Sequence, residues 1–221
     1  MKTIVIGSQK GGSAKSTLAA HLAVEAERVG DGPIWIIDTD QQGTLSQWHN
    51  RREAETPQRA EVPFAGLARG LDALAAKHEA AYCFIDTAPA ASKENASIFG
   101  LANLVLIPVR PSPNDLWAVG ETVSVVRAGE VPFLFILTQA KPNANITAQT
   151  VAALSRHGRV AQAFIADRVH YAVAMSGGNT ASELAPKGPA AVEIAALWKE
   201  VKSCFAESSK DAKAERMVAN G

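Results

Sequence analysis

The sequence predicts an α/β fold made of one domain, with a mostly parallel, twisted sheet and helices on both of its faces. Three observations lead there. Short apolar runs alternate with longer stretches of helical periodicity, the pattern of parallel strands joined by helical crossovers. Three of those runs end in polar segments suited to phosphate or metal chemistry, and open parallel sheets bind ligands at the carboxyl ends of their strands. The length, 221 residues, allows one sizeable core but falls short of two ordinary domains.

The first strand is expected over 2–8, around Ile4-Val5-Ile6. Behind it, Gln9-Lys10-Gly11-Gly12-Ser13-Ala14-Lys15-Ser16-Thr17 opens a helix over 16–29. Glycines there let successive backbone N–H groups turn toward a polyphosphate, the helix N-terminus adds positive potential, and a lysine adds a full charge. Lys15 takes the usual phosphate-loop position and Ser16 beside it suits Mg²⁺. Lys10 is a second, unusual lysine. The strict loop pattern asks for glycine at positions 9 and 14, where this chain has Gln9 and Ala14. If position 14 needs a positive φ, alanine there costs on the order of 1–2 kcal/mol.

The next strand, 33–38, ends in Asp38-Thr39-Asp40, two acids at i and i+2 that share a face, and a helix over 44–54 follows. A short edge strand fits between Pro57 and Pro63, ahead of a helix over 65–78. The strand over 81–86 runs through Cys83-Phe84-Ile85 into Asp86, placed to hold Mg²⁺ through water as a metal-site carboxylate does. A helix over 93–102 leads to the strand 104–109, then to Arg110-Pro111-Ser112-Pro113 and a helix over 115–127. The remaining expectations are strands at 132–138 and 160–165 and helices at 146–157 and 188–205. In the last helix Ala191, Ile194, Ala195, Trp198, Val201 and Phe205 form a core stripe, which leaves Lys199, Glu200 and Lys202 facing outward.

The three motifs resemble those of the deviant phosphate-loop ATPases, the family of ParA, MinD, the arsenite-pump ATPase and nitrogenase iron protein, whose loop reads Lys-Gly-Gly-x-x-Lys-Ser/Thr. The likeness covers roughly residues 1–205 and is strongest to the short ParF-like partition ATPases. It implies a P-loop NTPase fold, ATP and ADP as ligands, Mg²⁺ as cofactor and Mg²⁺-dependent ATP hydrolysis, slow unless a partner stimulates it. It further implies that Lys10, Gly11, Gly12, Ser13, Ala14, Lys15, Ser16 and Thr17 hold the phosphates, with Lys10 reaching the partner's nucleotide. Ser16 and Asp86 serve the metal, and Asp40 positions the attacking water and the metal's water shell. Lys10, Lys15 and Asp40 are thus the catalytic set. Pro111 and Pro113 match the proline-rich loop that serves the dimer interface near the adenine, or form a stiff turn. Thr138 and Gln139 stand where related ATPases contact the base. The glycine that often follows the metal-site Asp is replaced by Thr87-Ala88-Pro89.

The family role implies an ATP-dependent homodimer that binds double-stranded DNA without regard to sequence, and a ParB-like or other small centromere-binding adaptor that triggers hydrolysis. Lys+Arg and Asp+Glu each total 22, for a formal net charge of zero, so any DNA site is a local patch doubled by dimerisation. Arg156, Arg159, Arg168, Lys187, Lys199 and Lys202 are its candidates. The segment 206–221 is expected to be a polar, frayed or disordered tail without the apolar face of a membrane-lying helix. No apolar run approaches the ~20 residues that span a bilayer, no signal peptide is evident, and only eight residues precede Gln9, too few for a DNA-reading domain. Cys83 and Cys204 alone make neither a disulfide framework nor an iron–sulfur ligand set. A cytoplasmic, nucleoid-associated protein is expected. Three functions fit: plasmid or chromosome partition, positioning of a protein cargo such as a chemoreceptor cluster or microcompartment, and a metabolic ligase of the dethiobiotin-synthetase type.

Overall fold

The computed structural model describes residues 1–90 and 92–219, with side chains through Glu207. Six parallel strands form one sheet: β1 (Lys2–Ile6), β2 (Ile34–Asp38), β3 (Gln58–Arg59), β4 (Tyr82–Asp86), β5 (Leu104–Val109) and β6 (Phe133–Leu137), in the order β3-β2-β4-β1-β5-β6. The two-residue β3 is the edge strand expected between Pro57 and Pro63. In β1 the side chains alternate: Ile4 and Ile6 enter the core on one face and Val5 the core on the other. Both faces are therefore covered, as an all-parallel sheet requires.

On the first face lie α1 (Lys15–Arg28), α2 (Thr44–His49), α7 (Val169–Ser176), α8 (Ala181–Leu184) and α9 (Pro189–Ala219). On the second lie α3 (Leu67–Lys77), α4 (Lys93–Phe99), α5 (Pro113–Ala128) and α6 (Asn145–Leu154). Trp198 of α9 is buried against Tyr82 and Phe84, with ring centroids 5.0 and 5.8 Å away. No helix among the described residues is long and apolar enough to cross a membrane. The expected polar tail beyond Glu207 lies outside the described side chains.

The expected strand at 160–165 does not form. Among the described residues this segment meets the sheet through the isolated bridges Phe135–Val160 and Ala140–Ala166 and through the Ile165 N–H, which donates to the Leu137 carbonyl at 2.8 Å. Between the bridges the N–H groups of Gln162 and Ala163 donate instead to the Glu200 carboxylate, at 2.8 and 2.6 Å, so a side chain of α9 takes the Ala163 donor with which a ladder begun at Ala161 would continue. Glu200 accordingly does not face outward, and Lys202 folds onto Asp31 (2.7 Å) and over the Trp198 ring. The helix expected over 44–54 stops at His49, and α7 and α8 occupy a stretch for which the sequence pattern gave no helix. Helix α5 starts at Pro113 rather than at residue 115, because the Ser112 side chain caps it by accepting from the Asp115 N–H at 3.2 Å.

Candidate nucleotide site

Residues 7–14 leave the end of β1 and turn back into α1 through two left-handed positions, Gly12 (φ 72°) and Ala14 (φ 71°). Glycine adopts this conformation freely; Ala14 adopts it against its Cβ, so the condition under which alanine is costly at position 14 is met. The loop is fastened internally: the Lys10 carbonyl accepts from Ser13 Oγ (3.1 Å) and from Lys15 Nζ (3.3 Å). It is also fastened from behind, where Thr138 Oγ1 donates to the Ser13 carbonyl (3.0 Å) and Gln139 Nε2 to the Gly12 carbonyl (3.0 Å). Thr138 is fully buried, so its hydroxyl acts on the loop backbone and not as an open contact for a base. Gln139 is exposed at the cleft wall.

An open cleft of about 350 Å³ lies over this loop, lined by residues 11–17 together with Asp40, Gln42, Thr44, Pro89 and Gln139. Lys15 and Ser16 thus share one cavity with Asp40. Beneath it, Asp86 is fully buried and accepts from Ser16 Oγ through Oδ2 at 2.5 Å. Its Oδ1 has no hydrogen-bond partner among the described residues. Burial drives the Asp86 carboxyl up to about 7, against the Ser16 hydroxyl and Lys15, which favour the charged form. Burial likewise lowers Lys15, while Asp86 and Asp40 oppose that shift. A buried carboxylate with an unused oxygen beside a serine hydroxyl is the donor set of a hard divalent cation, and Ser16 and Asp86 fit Mg²⁺.

Asp38 and Asp40 divide their work. Asp38 accepts from the N–H groups of Asp40 (3.1 Å) and Ser46 (2.8 Å), which fixes the turn and the start of α2. Asp40 uses Oδ1 on the Gln42 N–H (3.0 Å) and borders the cleft. Thr87 is buried with its hydroxyl on the Ile6 carbonyl, and Asn95 holds the following turn by donating to the carbonyls of Ala88 and Ala90 at 2.9 and 2.6 Å. Asn95 carried no motif signal in the sequence.

Lys10 lies apart. It lines a separate groove of about 390 Å³ with Gln9 and with Asn114, Trp117, Ala118 and Glu121 of α5, and it does not line the phosphate cleft. Pro111 and Pro113 frame the start of α5 but line neither the groove nor the cleft; Arg110 pairs there with Asp115 at 2.9 Å. Of the candidate DNA-contacting cations, Arg159 pairs with Glu207, Arg168 with Glu193 and Lys202 with Asp31. Among the described residues no ion pair forms at Arg156, Lys187 or Lys199.

The family model for the CobQ/CobB/MinD/ParA nucleotide-binding domain matches residues 4–181, a span that contains every loop of the cleft. The chain belongs to this family. As a ParA/MinD-type protein it is a P-loop ATPase by descent, and its six-stranded parallel sheet is the family's fold. It is similar to the maintenance of carboxysome distribution protein A of Halothiobacillus neapolitanus, 24% identical over 210 residues, or 90% of this chain and 95% of that one. In structure it is similar to McdA from Cyanothece in an ATP complex, with TM-score 0.75, 20% identity and coverage of 93% and 96% of the two chains. It is also similar to a plasmid partition protein from Borrelia burgdorferi bound to AMPPNP, with TM-score 0.73, 19% identity and coverage of 91% and 99%. At such identities the structural likeness concerns the fold of this ParA/MinD-type chain alone.

Proposed function

We propose that this chain is a ParA-type, Mg²⁺-dependent ATP hydrolase that drives plasmid or chromosome partition. In this reading, ATP closes two copies into a sandwich dimer, the dimer binds double-stranded DNA irrespective of sequence, and a ParB-like centromere-binding adaptor stimulates hydrolysis and release. Residues 1–205 form the ATPase domain and 206–221 a polar tail, in a cytoplasmic protein gathered on the nucleoid. The observation that supports the reading is the separation of the two lysines: Lys15 stands in the phosphate cleft, whereas Lys10 lines the neighbouring groove on α5, the side to which this reading assigns the second copy.

Lys15 and the loop amides hold the β- and γ-phosphates, and Asp40 orients the attacking water. Lys10 of one copy offsets the charge that develops on the other copy's nucleotide. Ser16 and Asp86 would hold Mg²⁺, which when bound neutralises charge on the β- and γ-phosphate oxygens. Thr138 and Gln139 keep the loop amides aimed at the phosphates from behind, and Pro111 and Pro113 stiffen the entry to the dimer face.

A second reading changes only the cargo. Similarity along 90% of the chain to a carboxysome distribution protein favours a protein assembly as the object positioned. The deciding experiment measures binding to non-specific double-stranded DNA with ATP·Mg²⁺, with ADP and without nucleotide, across a salt series, for the natural chain and Asp40→Ala. The expected result is ATP-selective, salt-sensitive binding that Asp40→Ala prolongs. ATP-driven dimers that bind no DNA would overturn the DNA-matrix reading, and a chain that never dimerises would favour the metabolic ligase over both positioning readings.

A further inference from the structure

Two helices lead away from the nucleotide cleft, and both are tied to the same distant turn. The first is α1, which begins at Lys15. Its His21 is wholly buried, with Nδ1 on the Thr17 carbonyl (2.9 Å) and Nε2 accepting from the Ala181 N–H (3.1 Å). The second is α2, which follows the Asp40 turn and is only six residues long. A helix that short does not hold its own direction; its contacts do. At its start Asp38 accepts from the Ser46 N–H. At its end Trp48 Nε1 donates to the Asn179 carbonyl (3.0 Å), and the Arg52 guanidinium sits over the Trp48 ring at 4.7 Å.

Arg52 is the centre of this junction. Its side chain is 2% exposed. It donates to both oxygens of Glu183 (2.8 and 3.2 Å), to the Gly178 carbonyl (2.9 Å) and twice to the Thr56 carbonyl (3.1 and 2.7 Å). Glu183 in turn accepts from the Thr180 N–H (2.7 Å) and hydroxyl (2.9 Å). The approach is close enough that Gly178, at φ 74°, admits no side chain: a Cβ there would lie 2.4 Å from the Arg51 backbone carbon. So planar a fork of donors, fully satisfied and buried, holds direction as well as charge, which lysine could not do.

We propose that the turn from Gly178 to Glu183 is a brace that sets the spacing between the phosphate-loop helix and the Asp40 turn, with Arg52 and Glu183 as positioning residues for ATP hydrolysis. The inference rests on the proposed role of Asp40 in orienting water. Lys15 and Ser16 begin α1, Asp40 leads into α2, and the brace is the point where the middle of α1, at His21, and the end of α2, at Trp48, are joined. Small displacements of a reacting group are enough to suppress turnover while the phosphates remain bound.

The test compares the full natural chain with Arg52→Lys, Glu183→Gln and the double variant, each assayed well below its own thermal midpoint so that all molecules are folded. Three quantities are read: the dissociation constant of a fluorescent ATP analogue with Mg²⁺, kcat and KM for ATP, and amide hydrogen exchange. The expected result is a loss in kcat of about ten- to a hundredfold with nucleotide affinity nearly kept. The double variant should lose no more than the worse single one, since the pair acts as a unit. Exchange at Gln42 and Ser46 should speed up while the strand amides of β1 and β4 stay protected. A folded variant with unchanged kcat overturns the proposal, as does a parallel loss of binding and turnover with exchange rising everywhere. If the natural chain itself hydrolyses no ATP, the functional reading fails separately, and unchanged protection at Gln42 and Ser46 then overturns the brace.

Discussion

Ala14 is the residue where the chain departs most from an unstrained phosphate loop. Its φ of 71° is a conformation that glycine would adopt at almost no cost. Ala14→Gly is expected to stabilise the protein by about 1 kcal/mol, which for a domain of this size raises the thermal midpoint by about 2–4 °C. Differential scanning calorimetry checks it; an unchanged or lower midpoint would mean that the methyl group contributes packing that offsets the strain. His21 yields a pH prediction of definite sign. Burial, opposed by the Thr17 carbonyl and Glu183, lowers it from 6.5 to about 4. The folded state therefore keeps the ring neutral while the unfolded chain takes up a proton. The stability it contributes is fully present above pH 6.5 and is lost as the pH falls toward 4, by about 3 kcal/mol in all. Urea denaturation at several pH values should show a shallower slope in that window for His21→Gln than for the natural chain. The lysines, Ser16 and the acids of the cleft were legible at this scale because each sits in a motif of fixed spacing. His21 and Arg52 were not, since Ala181, Gly178 and Glu183 lie far along the chain; Asn95 was not, since its bonds to the carbonyls of Ala88 and Ala90 follow no motif of fixed spacing.

At the scale of elements, five strands and their crossover helices follow from apolar runs and periodicity, and even the two-residue β3 is signalled by its flanking prolines. The segment 160–165 shows where that reading fails. Its composition suits a strand, but the decision rests with Glu200, a residue of α9 that captures the Ala163 N–H a ladder needs and the Gln162 N–H beside it. Glu200→Ala should leave those donors without their acceptor and cost about 1–2 kcal/mol. Chemical denaturation measures the loss, and exchange at Gln162 and Ala163 should quicken; unaltered exchange would mean that the backbone there has other partners. Helices α7 and α8 escaped notice for a related reason. The first exposes Val169 and Val173, so apolar residues mark no inward face, and the second has four residues, too few to show a period.

For the molecule as a whole, the parallel sheet and the motif-bearing loops could be read in advance, because parallel strands bring their carboxyl ends to one edge, whereas the order of the strands was not read. What a partner would meet was not legible. Trp117 projects from α5 beside Lys10 and is 78% exposed, an unusual position for so large a ring. In the proposed dimer it is an anchor. Trp117→Ala should weaken ATP-dependent association by about 2 kcal/mol, or about 30-fold in Kd, while nucleotide binding by the single chain is retained. Sedimentation in ATP·Mg²⁺ over a range of protein concentrations is the measurement, and an unaltered dimerisation curve would take α5 out of the contact.

The rear fastening of the phosphate loop bears on how the protein is made. Thr138 reaches the Ser13 carbonyl across 125 residues of sequence, and Gln139 reaches Gly12 across 127. On the ribosome, the loop emerges well ahead of both of its fasteners, which come only after the sixth strand has been translated. A nascent chain shorter than that carries every phosphate-binding residue without the backing that aims them. Nucleotide is consequently of little use as an early folding template, and its binding marks a chain already synthesised through most of its sheet.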